Sequence, residues 1–202
     1  MTKPETRIQK KNRTAIMEAG LLVFSQFGFR GSTLDQIATA AGMSKPNTLY
    51  YFETKEAIYN ALLEKLLDDW LKPIHAIDKD GDPVEELLAY AKHKLRMSRL
   101  YPRESRLYAG EILQGAPRIG ATLSGELREV VGTLVTLINS WIAAGLIRPV
   151  DPHHLMFSIW AMTQHYADFD VQIQAVLGEG DHFDAAERYI EDMLRHMLTV
   201  DA

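Results

Sequence analysis

An all-α fold is predicted by three features of this 202-residue sequence. Apolar residues recur at steps of three and four along nearly every segment, the period of a helix with one buried face. No two alternating runs are joined by a hairpin turn signal. Gly, Pro and short hydroxyl or acidic side chains fall where helix ends need them.

Each element can be justified in order. A first helix is predicted over about 7–27, with Ile16, Ala19, Leu22, Val23 and Phe27 inward and Gly28 as its C-terminal cap. Thr33 suits the N-cap of a short helix at 34–41, which Gly42 ends. Ser44 caps the next, at 45–51; Pro46 sits in its first turn, where a missing N–H costs nothing. Thr54 opens a long helix over about 55–70, with Ile58, Leu62, Leu66 and Trp70 on one stripe. "DKDGDP" at 78–83 reads as a connection. Further helices are predicted near 84–100, 103–115, 119–145, 152–177 and 183–198. They are separated by Tyr101-Pro102, Gly115-Ala116-Pro117, Pro149 with Asp151-Pro152, and "GEGD" at 178–181.

Composition narrows the function. No run of about 18 apolar residues exists, so no membrane partner is expected, and "MTKPETRIQKKNR" lacks the apolar core of a secretory signal. Zero cysteines exclude disulfides, thiolate metal sites and cysteine nucleophiles, and a reducing, cytoplasmic location is expected. The net charge of −5 hides an asymmetry: residues 1–60 carry +3 and residues 61–202 carry −8. Residues 1–13 alone hold five basic groups against one acid. A basic N-terminal module on an acidic body points to a polyanion partner for the module.

Two short helices joined by a tight Gly turn, behind a longer helix, have the layout of a helix-turn-helix DNA reader. Ala38, Ala41 and Gly42 are small enough for the two helices to cross closely, while Ile37, Leu49 and Phe52 can fill a small core. The helix at 45–51 begins with Ser44, Lys45, Asn47 and Thr48, side chains suited to base edges and phosphates. Thr33, Tyr50, Tyr51 and Lys55 suit phosphate anchoring, which sets register without reading sequence. The string "STLDQIATAAGMSKPNTLYYFETKEAIY" at 32–59 resembles the N-terminal signature of the TetR family of bacterial repressors, with Met43 where Val is commoner.

That resemblance implies a homodimer whose variable C-terminal body binds a small molecule and thereby moves the recognition helices out of register with a double-stranded DNA operator. "LDDWLKP" (67–73), "YPRESRLYAGEILQGAP" (101–117) and "DPHHLMFSIWAMTQHYADF" (151–169) resemble the subgroup containing the uracil-responsive repressor of pyrimidine utilisation. It implies effector contacts at Trp70 and Gln164, with Tyr101, Tyr108, Glu111 and His165 as further candidates by proximity within the motifs. The residues agree with such a role for Gln164. On a helical wheel it shares a stripe with Phe157, Trp160, Ala161 and Asp168, and its amide offers a donor and an acceptor to a pyrimidine edge. The alternatives are an unrelated small effector, or DNA binding without a ligand. The domain division expected is a helix-turn-helix domain over 1–54 and a ligand-binding and dimerisation domain over 55–202, with the helix at 55–70 as connector.

An enzyme is not expected. His153 and His154 project about 100° apart on a helix and share no metal-binding face. His165 and Asp168 could pair as base and orienting carboxylate, yet no nucleophile stands in a recognisable setting. No metal or cofactor is anticipated. Dimerisation has its own support in Leu123, Leu127, Val130, Val131, Leu134, Leu137, Ile138, Trp141 and Ile142, a broad stripe suited to an intermolecular four-helix bundle.

Overall fold

The computed structural model describes residues 6–200; Lys3 and Glu5 of the expected basic arm lie outside them. Among the described residues there is no strand, and no helix is long and apolar enough to cross a membrane. The helices are α1 (Arg7–Gly31), α2 (Leu34–Ala40), α3 (Lys45–Tyr51), α4 (Lys55–His75), α5 (Pro83–Leu100), α6 (Pro102–Leu113), α7 (Gly120–Thr122), α8 (Arg128–Ala143), α9 (Pro152–Asp168), α10 (Asp170–Leu177) and α11 (Phe183–Leu198). They pack as two compact units, Met1–Leu67 with Arg106–Ile119, and Asp68–Ser105 with Gly120–Ala202. The motif-based cut between 54 and 55 follows the sequence signature, whereas packing divides α4 and α6 between the units.

In the first unit, Thr6 and Gln9 form a reciprocal capping box that starts α1. Thr33 and Gln36 do the same for α2, and Ser44 caps α3 through the Asn47 amide. Gly42 adopts φ 66° between α2 and α3, a left-handed conformation that a side chain would strain. Ile16, Val23, Phe24, Ile37, Phe52, Ile58 and Leu63 fill the core. Two expectations are corrected. Phe27 is 53% exposed; the reversal at Gly28 (φ 63°) brings Phe29 instead to Tyr59, 5.0 Å ring to ring, beside Phe24. Leu49 is also exposed and Thr48 takes the buried position, because neighbours on a helix point about 100° apart.

In the second unit α5 is central, packed against α9 and α11, while α9 also meets α8 and α10. Leu155, Met156, Ile159, Thr163 and Ala167 form the buried stripe of α9, so Trp160 and Gln164 flank it half-buried and Phe157 and Ala161 face out. The helix expected at 119–145 passes through a π-helical turn at Leu123–Leu127 before α8. The one expected at 152–177 breaks at Phe169, whose backbone leaves the helical region (φ −115°, ψ 28°). α4 continues five residues past Trp70, through Pro73.

Candidate nucleic-acid interface and buried polar cluster

Capping sets the presentation of α3. With Ser44 holding the first turn, Lys45 and Asn47 are exposed at its start. The Asn47 side-chain amide makes no hydrogen bond among the described residues, and Lys45 reaches Asp35 of α2 at 2.8 Å in an exposed pair. Such a pair contributes about 0–1 kcal/mol, so exchanging the carboxylate for a phosphate costs little. Tyr50 is 71% exposed. Its hydroxyl accepts from Gln9 Nε2 at 3.3 Å, which leaves the O–H free to donate to an anion. Tyr51 is held more firmly, its hydroxyl accepting from Asn12 Nδ2 at 2.8 Å and its carbonyl from Arg13.

Three residues expected at the DNA surface are occupied with the protein. Thr48 is fully buried and donates to the Ser44 carbonyl at 3.2 Å, so it packs the turn. Lys55 donates to the carbonyls of Phe29 at 2.7 Å and Ser32 at 2.6 Å, and its ammonium lies over the Phe29 ring; it clamps the α1–α2 turn. Thr33 stays exposed, but its hydroxyl both accepts from the Gln36 amide and donates to the Gln36 side chain.

Glu111 and Tyr108 fall in the same unit as α3. Glu111 has no exposed surface and accepts from the Arg118 amide at 2.7 Å and from Arg118 Nη1 at 3.3 Å. Arg118 stacks 3.7 Å from the Phe29 ring centre, and its Nε lies 3.3 Å from Glu56 without the geometry of a hydrogen bond. Burial, then the Glu111 charge and hydrogen bond, push the Tyr59 hydroxyl up to about 12. Glu111 is thus the centre of an internal ion-pair cluster rather than a group open to a guest. Burial pushes Tyr108 up to about 12.

The other four effector candidates lie in the second unit. Tyr101 is 43% exposed at the start of α6. His165 stacks on Phe169, 4.9 Å between centroids, and meets Tyr166 edge-on. Gln164 makes no hydrogen bond among the described residues, although its neighbour Thr163 is fully buried. Trp70 is buried, with the Lys94 ammonium 4.3 Å from its ring centre. Lys94 itself is 5% exposed; burial pushes it down to about 8 against the pull of Asp168. Ser105 donates to Asp168 at 2.5 Å, and Trp160 Nε1 donates to the Tyr90 hydroxyl at 2.8 Å. Burial raises the Tyr90 pKa, so that hydroxyl stays protonated.

The sequence reading missed Tyr90, Lys94 and Ser105. Its signal was available on α5, where Tyr90, Lys94 and Ser98 recur at steps of four within the apolar repeat of Leu87, Ala91 and Leu95. Among the described residues no group of three or more His, Cys, Asp or Glu side chains could hold a metal.

A capped helix-turn-helix module in one chain with a helical body that holds a buried polar cluster defines a DNA-binding transcriptional regulator. The chain belongs to the TetR family. Residues 16–62 match the bacterial regulatory proteins of the tetR family, and residues 63–201 match the C-terminal region of YcdC-like proteins. The HTH-type transcriptional regulator RutR of Escherichia coli K12 is 46% identical over 88% of this chain and 84% of its own length. The HTH-type transcriptional repressor NicS of Pseudomonas putida KT2440 is 31% identical over 72% and 71%. Among solved structures, the ketosteroid transcriptional regulator KstR2 of Mycobacterium tuberculosis aligns with a TM-score of 0.74 at 19% identity, over 98% of both chains. These relatives are transcriptional regulators and not enzymes.

Proposed function

We propose that the chain is a repressor that binds a palindromic operator as a homodimer and leaves it when a small planar molecule, uracil or a related pyrimidine, enters the unit containing Trp70 and Gln164. The observation that carries this reading is the Gln164 amide. It stands half-buried beside a fully buried helix stripe with no hydrogen-bond partner among the described residues. Its amide offers both a donor and an acceptor, which the complementary edge of a planar ring can meet together. The 46% identity to RutR supports the same reading.

On the DNA side, Lys45 and Asn47 read base edges, and Ser44, Tyr50 and Tyr51 contact phosphates from the α3 surface. Thr33 adds a phosphate contact only where its capping hydroxyl is shared. α4 supplies the coupling: it carries Trp70 near its end and, at its start, Lys55, which grips the two carbonyls before α2. The effector releases DNA only if it binds the released state better than the DNA-bound one.

The test is an operator shift with purified protein, titrated with uracil. The Lys45→Ala/Asn47→Ala variant is expected to lose the shift, and Gln164→Ala to need about tenfold more uracil for release. A retained sequence-specific shift in the first removes the α3 assignment. An unchanged uracil requirement in the second removes Gln164 from the effector site.

A further inference from the structure

The first turns of α1 aim three polar side chains at α3. Gln9, Asn12 and Arg13 stand at steps of three and four, so they share a face with the fully buried Ile16. Gln9 Nε2 donates to the Tyr50 hydroxyl at 3.3 Å, and Asn12 Nδ2 donates to the Tyr51 hydroxyl at 2.8 Å. Arg13 Nη1 donates to the Tyr51 carbonyl at 3.3 Å, and its guanidinium lies 4.2 Å from the Phe52 ring centre. The two tyrosine rings meet edge-on, 5.1 Å between centroids. The Thr6 backbone N–H can only donate, and it donates to Gln9 Oε1 at 2.9 Å. That bond fixes the amide so that its NH2 end faces Tyr50, whose oxygen must accept and whose own proton is left for another acceptor. Capping does not require this amide, because a glutamate closes the same box with a threonine equally well.

We propose that Gln9 is a positioning residue of the DNA-reading surface, setting the Tyr50 hydroxyl as a donor toward a phosphate oxygen, and that Asn12 does the same for Tyr51. The proposal rests on the reading that both tyrosines contact phosphates from α3. A DNA phosphate presents acceptors, so a hydroxyl facing it has to donate. A phenol left alone in water both donates and accepts and turns its proton in any direction. Here each hydroxyl oxygen already accepts from an α1 amide, and each proton is committed outward before DNA arrives. The rings are held by α1 and by each other, so less freedom is lost on binding. α1 thereby acts on DNA through α3. Replacing the amide by a carboxylate reverses the polarity. A carboxylate only accepts, so it takes the tyrosine proton and leaves lone pairs facing lone pairs at the phosphate.

The probe is a duplex of about 30 base pairs, selected by the wild-type protein from a randomised library and long enough for two half-sites. Binding is followed by fluorescence anisotropy and stability by thermal melting. Gln9→Glu keeps the capping box, so it is expected to melt no lower than wild type while its affinity for the duplex falls by ~30-fold. Gln9→Met, with neither donor nor acceptor, is expected to melt lower yet bind more tightly than Gln9→Glu. A capping role alone predicts the opposite order of affinity. The added negative charge accounts for part of the Gln9→Glu loss, and a Tyr50→Phe background isolates that part. There the same substitution is expected to cost no more than ~3-fold and to fade as salt is raised. Asn12→Asp, with and without Tyr51→Phe, repeats the cycle at the second hydroxyl. A Gln9→Glu loss of equal size in both backgrounds is charge alone and overturns the proposal. So does a Gln9→Glu protein that binds as tightly as wild type. Either result leaves the phosphate reading standing when Tyr50→Phe itself weakens binding. A Tyr50→Phe protein that binds as tightly as wild type overturns the phosphate contact, and the role of Gln9 with it.

Discussion

At the scale of single residues, polar groups in the second unit meet different fates according to what lies opposite them. His165 spends its ring on Phe169 and Tyr166, and Trp160 spends its N–H on Tyr90, while the Lys94 ammonium lies over the Trp70 ring with Asp168 as its countercharge. Lys94 has a measurable consequence for folding. Its folded pKa is depressed from 10.5 to about 8, so between those values the unfolded chain holds a proton that the folded one has released. Stability contributed by this group therefore rises with pH across that window, by up to about 3 kcal/mol. Urea unfolding at fixed protein concentration is expected to show that rise in wild type relative to Lys94→Met, whose stability is also higher at pH 7.5. Groups common to both proteins cancel in the difference; parallel curves would show that Lys94 is not buried as a charge. The helical wheel groups Gln164 with Trp160 because that stripe is written in one helix, and the structure leaves both half-buried beside the core stripe. It passed over Lys94, since burial of a lysine is decided by the elements packed across it. Side-chain chemistry alone assigned Thr48 and Lys55 to the DNA surface, whereas their hydroxyl and ammonium are taken by backbone carbonyls that a local pattern does not reveal.

Among the elements, helix starts were the most legible feature, because Thr33, Ser44 and Asp151 carry their own capping chemistry. The break at Phe169, the π-helical turn at Leu123–Leu127 and the extension of α1 beyond Gly28 were not legible. Each is a backbone detour whose energy depends on tertiary neighbours, which local propensity does not encode. The approach of α1 to α4 has the same character and depends on Gly20. A Cβ there would lie 2.7 Å from Cγ2 of Ile58, which is fully buried and β-branched, and 3.4 Å from Leu62. Gly20→Ala gains up to about 1 kcal/mol of helix propensity but overpacks a contact worth about 1–3 kcal/mol. Net destabilisation is expected, visible as a lower melting temperature. Ile58→Val in the same chain should recover part of it if the lost Cδ1 lets the valine shift. A Gly20→Ala protein as stable as wild type would show that α1 and α4 slide apart freely.

At the scale of the whole molecule, one α3 offers few base contacts, so the operator reading proposed above calls for two copies held at a fixed spacing. The apolar stripe read from the sequence serves two purposes. Val130, Val131, Leu134, Ile138 and Trp141 are buried within the chain itself, which reduces the surface left for a partner. What remains is Leu123 and Leu127 of the π-helical turn and Leu137 and Ile142 of α8, all half-buried, with Phe157 of α9 at 50% exposed. A second copy of the chain is the expected occupant of this face, because a two-fold axis beside α8 and α9 would bring the same residues together from both protomers in a four-helix arrangement. Placing a charge in such an interface leaves it desolvated without a partner, a cost of several kcal/mol that is incurred twice by symmetry. Ile142→Glu with Phe157→Glu is therefore expected to sediment as a monomer while keeping the helical circular dichroism of wild type. Its operator shift should weaken by ~100-fold or more, because each α3 then binds a half-site alone and the second contact is no longer intramolecular. A variant that stays dimeric would place the two-fold axis on another face, and a monomer that still shifts the full operator at wild-type concentration would mean that a single α3 reads it.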